Sequence, residues 1–352
     1  MTTTTKLTTT PRKILLIRLS ALGDVLLATP AARLLAERFP SSRIDWLVEA
    51  PYLPLLMGNP HVQPIAYNKR GADSGLSGLR SLERRIAHEG YDLVVDLQNK
   101  PKTALWRSGI SEAVVFRKRT FFQGLCSLFG NALLPDHAHA TALFVEALTP
   151  LGIEVPQAPE ALFPELHLTD AMREEAKDVA PSSRMPHRPL VGIAPGTRWA
   201  TKCWPIQSFA TLAKFLNARG ADLLLIGGPD DAAAFAAIRA ALPQGVTCRD
   251  TASLSVGGLA AAIDHCALVV SGDSGPAHIA AALGIATLTL FGPTSPNRWA
   301  PRGPRASHLC LGLACSPCSN HGARQCPIGT HACLTDLGVE MVLERAEALL
   351  NL

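Results

Sequence analysis

The chain of 352 residues is 47% hydrophobic and 18% charged, which excludes a wholly disordered protein; at about 150 residues per domain the length predicts about two domains. A formal charge of +4, from 33 basic and 29 acidic residues, is too mild to require nucleic acid as a partner. Gly and Pro, 27 of each, make up about 15% of the chain, which suits many short loops and excludes a fibrous protein.

Residues 1–12 are Thr-rich, lack an apolar stretch and read as a disordered tail, not a signal peptide. Ile14 to Arg18 is a short apolar run that predicts a buried parallel strand. The loop Leu19-Ser20-Ala21-Leu22-Gly23-Asp24 follows, then an amphipathic helix from about Val25 to Arg38 and a strand over Ile44 to Val48, which together make a βαβ unit. Weaker signals continue the alternation at Val62 to Tyr67, Leu79 to His88, Leu93 to Leu97 and Ala140 to Leu148. Between Lys69 and Arg119 stand eleven Lys/Arg against six Asp/Glu, a surplus that suits either a solvated surface or a face meeting an anionic ligand or membrane surface.

Pro156 to Pro189 holds six prolines with little periodicity, which places a linker at 166–189 between a first domain of 13–165 and a second of 190–337. The opening pattern then recurs. Leu190 to Ala194 predicts a strand, Pro195 to Pro205 a loop, Ile206 to Asn217 a helix, and Leu223 to Ile226 a strand ending at Gly227-Gly228-Pro229. Helix over Leu259 to His265, strand over Ala267 to Val270, helix over Gly275 to Leu283, strand over Ala286 to Phe291 and a closing helix in 338–352 complete the second half. The uncharged stretch Ser274 to Asn297 is long enough for a membrane span, but Gly284 and His278 interrupt it, so a helix and a buried strand are expected in a cytoplasmic protein. Two doubly wound α/β domains follow, and ligands of such sheets sit on loops at the carboxyl ends of strands.

Asp24 lies on such a loop, where it suits both the cap of a helix and a general base. In the loop Pro195 to Pro205, Gly196 and Thr197 offer backbone N–H groups and a hydroxyl, and Lys202 a point charge for phosphate. Neither G-x-x-x-x-G-K nor G-x-G-x-x-G is present at these places, which counts against a P-loop and against NAD. Asp273-Ser274-Gly275-Pro276-Ala277-His278 opens a second anion-ready helix, so a nucleoside diphosphate is the expected ligand. Cys315, Cys318, Cys326 and Cys333 fall in the proline- and glycine-rich loop 310–333. A structural four-thiolate metal site is the favoured reading, zinc first and iron as the rival, against reduced thiols or disulfides. Cys126, Cys203, Cys248, Cys266 and Cys310 read as ordinary buried or loop cysteines.

The motifs Arg18-x-Ser20-x-Leu22-Gly23-Asp24, Pro195-Gly196-Thr197…Lys202-x-Trp204-Pro205, Asp273-Ser274-Gly275-x-x-His278 and Leu290-Phe291-Gly292-Pro293-Thr294-Ser295-Pro296 stand in the order found in glycosyltransferase family nine. From about Ile14 to the closing helix the chain resembles these ADP-heptose:lipopolysaccharide heptosyltransferases, heptosyltransferase II-like members above all. A similar cysteine run occurs in part of that family, including an iron-binding branch. The resemblance implies a GT-B fold, two Rossmann-like domains facing across a cleft, with the acceptor on the first and the ADP-sugar donor on the second. It implies inverting transfer of a heptose to a phosphorylated lipopolysaccharide core acceptor at the inner membrane surface, with no catalytic cofactor. On it Asp24 is the base, Thr197 and Lys202 hold the diphosphate, Ser274 and Gly275 complete the anion site, Asp273 holds sugar hydroxyls and His278 lies near the phosphates. Asp231, with Asp230 as the alternative, binds the ribose, and Leu254 borders the adenine. The other readings are an O-heptosyltransferase acting on protein, a sugar-nucleotide epimerase and a non-catalytic nucleotide-sugar-binding protein.

Overall fold

The computed structural model describes residues 9–116, 139–179, 188–246 and 248–350. The start of the expected tail, Arg117 to Arg119 of the basic stretch, Cys126 and part of the expected linker lie outside these residues. Contacts divide the described chain into two compact units, one of residues up to 116 with 139–167, the other from 168 onward.

The first unit is a five-stranded parallel sheet of β1 (Lys13–Ile17), β2 (Arg43–Glu49), β3 (Gln63–Tyr67), β4 (Leu93–Asp96) and β5 (Glu112–Val115), in the order β3-β2-β1-β4-β5. β1 is buried at every position after Lys13, as a central parallel strand covered on both faces must be. Residues 11–13 are held at this end, where the backbone N–H groups of Arg12 and Lys13 donate to Asp92 at 2.7 and 2.9 Å, so the disorder expected for 1–12 does not reach that far. The single helix expected over Val25 to Arg38 is two, Leu22–Leu27 and Thr29–Arg38. Pro30 has no N–H to give the Leu26 carbonyl, and the Thr29 hydroxyl takes that carbonyl instead at 2.7 Å.

The second unit is a six-stranded parallel sheet of β6 (Leu190–Ala194), β7 (Asp222–Leu225), β8 (Arg249–Asp250), β9 (Leu268–Gly272), β10 (Ala286–Leu290) and β11 (Ala306–Leu309), in the order β11-β10-β9-β6-β7-β8. Helix Ile206–Ala218 turns Phe209, Ala210, Leu212, Ala213 and Leu216 onto this sheet, a spacing of three and four that makes one apolar stripe. The closing helix Val339–Leu350 buries Val342, Leu343 and Ala346 in the same core. Within the segment expected as linker, Asp170–Ala176 is helical; Arg173 pairs with Asp264 at 2.9 Å and Glu175 accepts from Ser255, which ties it to the second unit. Ser274 to Asn297 divides at Gly284 into the helix Gly275–Ala282 and β10, and among the described residues no helix is long and apolar enough to cross a membrane.

Candidate active site

In the second sheet the strand order reverses beside β6, with β7 on one side and β9 on the other. The loops leaving β6 and β9 therefore meet at the carboxyl edge, where open α/β sheets bind ligands. There Lys202 Nζ lies 2.8 Å from Asp273 Oδ2, with both side chains largely buried, and the Thr294 hydroxyl donates to the same oxygen at 2.7 Å. The loop is anchored just beyond Lys202 by Trp204. That indole is fully buried, donates to the Leu337 carbonyl at 2.9 Å and packs edge-on against Phe209 at 4.9 Å.

Ser274 precedes the helix Gly275–Ala282, makes no side-chain cap bond, and shares a hydrogen bond of 2.8 Å with Ser271. The first-turn N–H groups of that helix, Pro276 excepted, have no partner within the helix and present a positive end beside Asp273. His278 is buried in the same helix. The Thr197 hydroxyl donates to Trp199 O at 2.7 Å and lies 3.2 Å from Cys203 Sγ, so it must rotate to donate to a ligand.

Asp231 closes the turn Pro229–Asp231 and accepts from Gly228 N at 2.9 Å. Its carboxylate rests against Gly196, where a Cβ would overlap it; only glycine lets the loop after β6 come this close. The ribose candidate and the loop expected to hold phosphate are thus brought together, and it is Asp231 that lies against Gly196. The Thr251 hydroxyl exchanges hydrogen bonds with both backbone groups of Gly227, and Leu254 N donates to Thr251 O at 3.0 Å, which sets Leu254 at the same edge.

In the first unit Asp24 stands in the first turn of the helix Leu22–Leu27, where its carboxylate makes a capping bond and an ion pair. One carboxylate oxygen accepts from Ala21 N at 3.2 Å, and the other lies 2.7 Å from Arg18 Nη2. Arg18 is 5% exposed; it donates to Leu97 O at 2.8 Å and stacks over Phe144 at 4.8 Å, while Trp46 Nε1 donates to its carbonyl at 3.1 Å. Sequence reasoning gave Arg18 a place in a motif but no task, because its partners come from four separate elements. Nearby, Lys102 lies 3.8 Å from Glu49 Oε1 and 4.5 Å over the Tyr67 ring, and Ser20 donates to Glu49 at 3.4 Å. Burial pushes the Lys102 pKa down, and Lys69 and Lys100 push it the same way against the pull of Glu49. These three lysines form a positive patch at the carboxyl edge of the first sheet that had been visible only as a local charge surplus.

The metal expectation finds no support among the described residues. Cys203, Cys248, Cys266, Cys310, Cys315, Cys318, Cys326 and Cys333 are free thiols. Among the described residues no group of three or more His, Cys, Asp or Glu is arranged to hold a metal ion. Backbone N–H groups of His331, Ile328, Gly329 and Thr330 converge on Cys326 and hold its thiol below the usual range. Cys333 is pushed up to about 11, first by burial and then by the other three thiols. The four share a neighbourhood without forming a ligand set.

The model of glycosyltransferase family 9 (heptosyltransferase) matches residues 79–328. The chain is 29% identical to lipopolysaccharide heptosyltransferase 2 of Escherichia coli K12, over 96% of this chain and 98% of that protein. It is 30% identical to lipopolysaccharide heptosyltransferase 1 of Pseudomonas aeruginosa, over 87% and 86%. The solved structure of E. coli ADP-heptose lipopolysaccharide heptosyltransferase II superimposes with a TM-score of 0.72 at 27% identity, covering 96% of this chain and 98% of that one. Two doubly wound parallel sheets of the GT-B kind, the matched family model and relatives along nearly the whole length agree: the chain is a glycosyltransferase and belongs to glycosyltransferase family 9.

Proposed function

We propose that the chain transfers a heptose from ADP-heptose, with inversion at the anomeric carbon, to a hydroxyl of an anionic lipopolysaccharide inner-core acceptor. The observation that supports it most is the Lys202–Asp273 pair at the switch point of the second sheet, directly before the helix start at Ser274 and Gly275. As the sugar leaves, charge develops on the diphosphate. The Lys202 ammonium, the Thr197 hydroxyl turned from Trp199, the first-turn N–H groups after Ser274 and the nearby His278 stabilise that charge from fixed positions. Lys202 and Thr294 both engage Asp273 Oδ2, which leaves Oδ1 to accept from sugar hydroxyls. Asp231 takes the ribose and the backbone at Leu254 borders the adenine.

On the acceptor side Asp24 removes the proton of the attacking hydroxyl as its oxygen bonds to the anomeric carbon. The bond from that carbon to the ADP oxygen breaks, and its electron pair leaves with ADP. Arg18 orients the carboxylate and balances its charge through the 2.7 Å contact. Lys69, Lys100 and Lys102 hold phosphate or carboxylate groups of the acceptor, which a lipid anchor presents at the cytoplasmic face of the inner membrane.

The test is transfer from ADP-heptose to a panel of truncated lipopolysaccharides, with ADP release and the anomeric configuration of the product recorded. One heptose transferred per ADP released, with inverted configuration, is the expected result. Labelling of protein instead of lipopolysaccharide, donor conversion without an acceptor, or a preference for UDP over ADP would each overturn the reading.

A further inference from the structure

We infer that the cysteine-rich segment 310–333 is a working part of the donor site, and that Thr201 is the positioning residue through which it holds the phosphate loop. The inference rests on the reading of Lys202 as a diphosphate contact. Thr201 is 5% exposed, and its hydroxyl and both backbone polar groups engage this one segment. Its hydroxyl donates to Ala323 O at 2.9 Å and accepts from Ala323 N at 2.8 Å, its backbone N–H donates to Ala323 O at 3.2 Å, and its carbonyl pairs with His331 Nε2 at 2.8 Å. Next to it, Gly322 (φ +91°) presses on the stem of Lys202; a Cβ there would lie 2.8 Å from both Lys202 Cδ and Trp199 Cβ.

The other end of the segment hangs from the loop after β10. Cys318 N and Ser319 N both donate to Pro293 O, at 2.9 and 2.8 Å, and the Ser316 hydroxyl donates to Gly292 O. Thr294, the next residue, donates to Asp273, the partner of Lys202. The segment therefore spans the loop that carries Lys202 and the loop that fixes Asp273. Two of the thiols lie within the brace. Cys326 is wrapped by the N–H groups of the turn that carries His331, and Cys333 is buried beside Gly292. A loop held only at Trp204 would leave Lys202 free to wander; a charge contact misplaced by about 1 Å loses much of its worth in binding and in catalysis.

The experiment compares Thr201→Val, which keeps shape and removes the hydroxyl, with Thr201→Ser, which restores it. Titration of ADP and adenosine, donor and acceptor KM values, and amide hydrogen exchange across 199–203 are recorded on the full chain, with melting temperature as the control for folding. Loss of two buried hydrogen bonds predicts ADP binding about ten-fold weaker and donor KM about ten-fold higher in the Val variant. Adenosine affinity and acceptor KM stay within about two-fold, amide exchange at 199–203 accelerates, and Ser returns all values to within about three-fold of wild type. A folded Val variant with wild-type ADP affinity, donor KM and exchange overturns the inference. Should Thr201→Val fail to fold, His331→Asn, which tolerates the positive φ of that position and removes the 2.8 Å contact with the Thr201 carbonyl, is read by the same measurements with the same two outcomes. If the wild-type chain binds no ADP, the donor reading fails, and exchange at 199–203 still decides whether the segment braces the loop.

Discussion

Lys202→Met and Asp273→Asn should move ADP affinity in opposite directions, although the two side chains are partners in one ion pair. Without a ligand the ammonium is neutralised by a carboxylate at 2.8 Å, with 14% and 8% of the two side chains exposed. A diphosphate arriving at the helix start must share that ammonium with Asp273. Removing the ammonium takes away a charge-assisted hydrogen bond of about 1.5–3 kcal/mol, about 10- to 150-fold in affinity. It also leaves Asp273 facing the phosphates with Thr294 as its remaining donor at this oxygen. Removing the carboxylate charge instead lifts a repulsion of about 2 kcal/mol, taken for unit charges about 8 Å apart at an effective dielectric constant of about 20. Asp273→Asn keeps the shape and the Thr294 bond, so ADP affinity should rise by up to about 30-fold while transfer falls, because the amide holds sugar hydroxyls less well. Calorimetric titration of ADP and adenosine at low and high salt measures both effects, which should shrink with salt for ADP and be absent for adenosine. If both variants lost ADP affinity by the same factor with the fold intact, the pair would be a bridge holding the loop, and the electrostatic argument would be refuted.

Asp24→Asn should leave ADP affinity within a few-fold and lower turnover by about 10² to 10⁴, the usual worth of a general base; near-normal turnover would leave Asp24 as a helix cap only. Gly196→Ala puts a methyl into the Asp231 carboxylate, and overpacking of about 1–3 kcal/mol should appear as a lower melting temperature together with weaker binding of ADP and of adenosine. Unchanged adenosine binding would show that Asp231 does not serve the nucleoside. Brief iodoacetamide treatment near pH 7 should label Cys326, whose thiol is held low by backbone N–H groups, well before Cys333, which is buried and raised to about 11. Peptide mass spectrometry finding Cys333 labelled first would contradict that arrangement.

The two doubly wound sheets were legible because their central strands carry the signal themselves. β1 after Lys13 and β6 are continuous apolar runs, and β9 and β10 are buried at every position with only Ser271, Thr287 and Thr289 as polar side chains, as parallel strands covered on both faces require. The closing helix was readable over its whole length, Val339–Leu350, because its apolar positions repeat at helical spacing. The elements without such a pattern escaped: edge strands β5, β8 and β11, and the helix Ala232–Ala241, whose near-uniform alanines mark no face. The same division holds for the site. Asp24, Lys202 and Asp273 stand out because glycine, proline and charge cluster where strands end, and local chain chemistry is enough to expose such loops.

What each charge does there depends on neighbours far away in the chain. Arg18 meets Asp24 within one loop, yet it is fixed by Leu97, Trp46 and Phe144. Asp273 is oriented by Thr294, and Thr201 is held by Ala323. The cysteine spacing suggested a metal, and the four thiols do share a neighbourhood, yet among the described residues no group of them is arranged to hold one. Packing sets one thiol among backbone N–H groups, buries another and places the segment between the loop that carries Lys202 and the loop that carries Thr294. Strand and helix identity follows from periodicity over a few residues. The partner of a buried charge is set by which loops the sheet order brings side by side, and no short stretch of sequence contains that information.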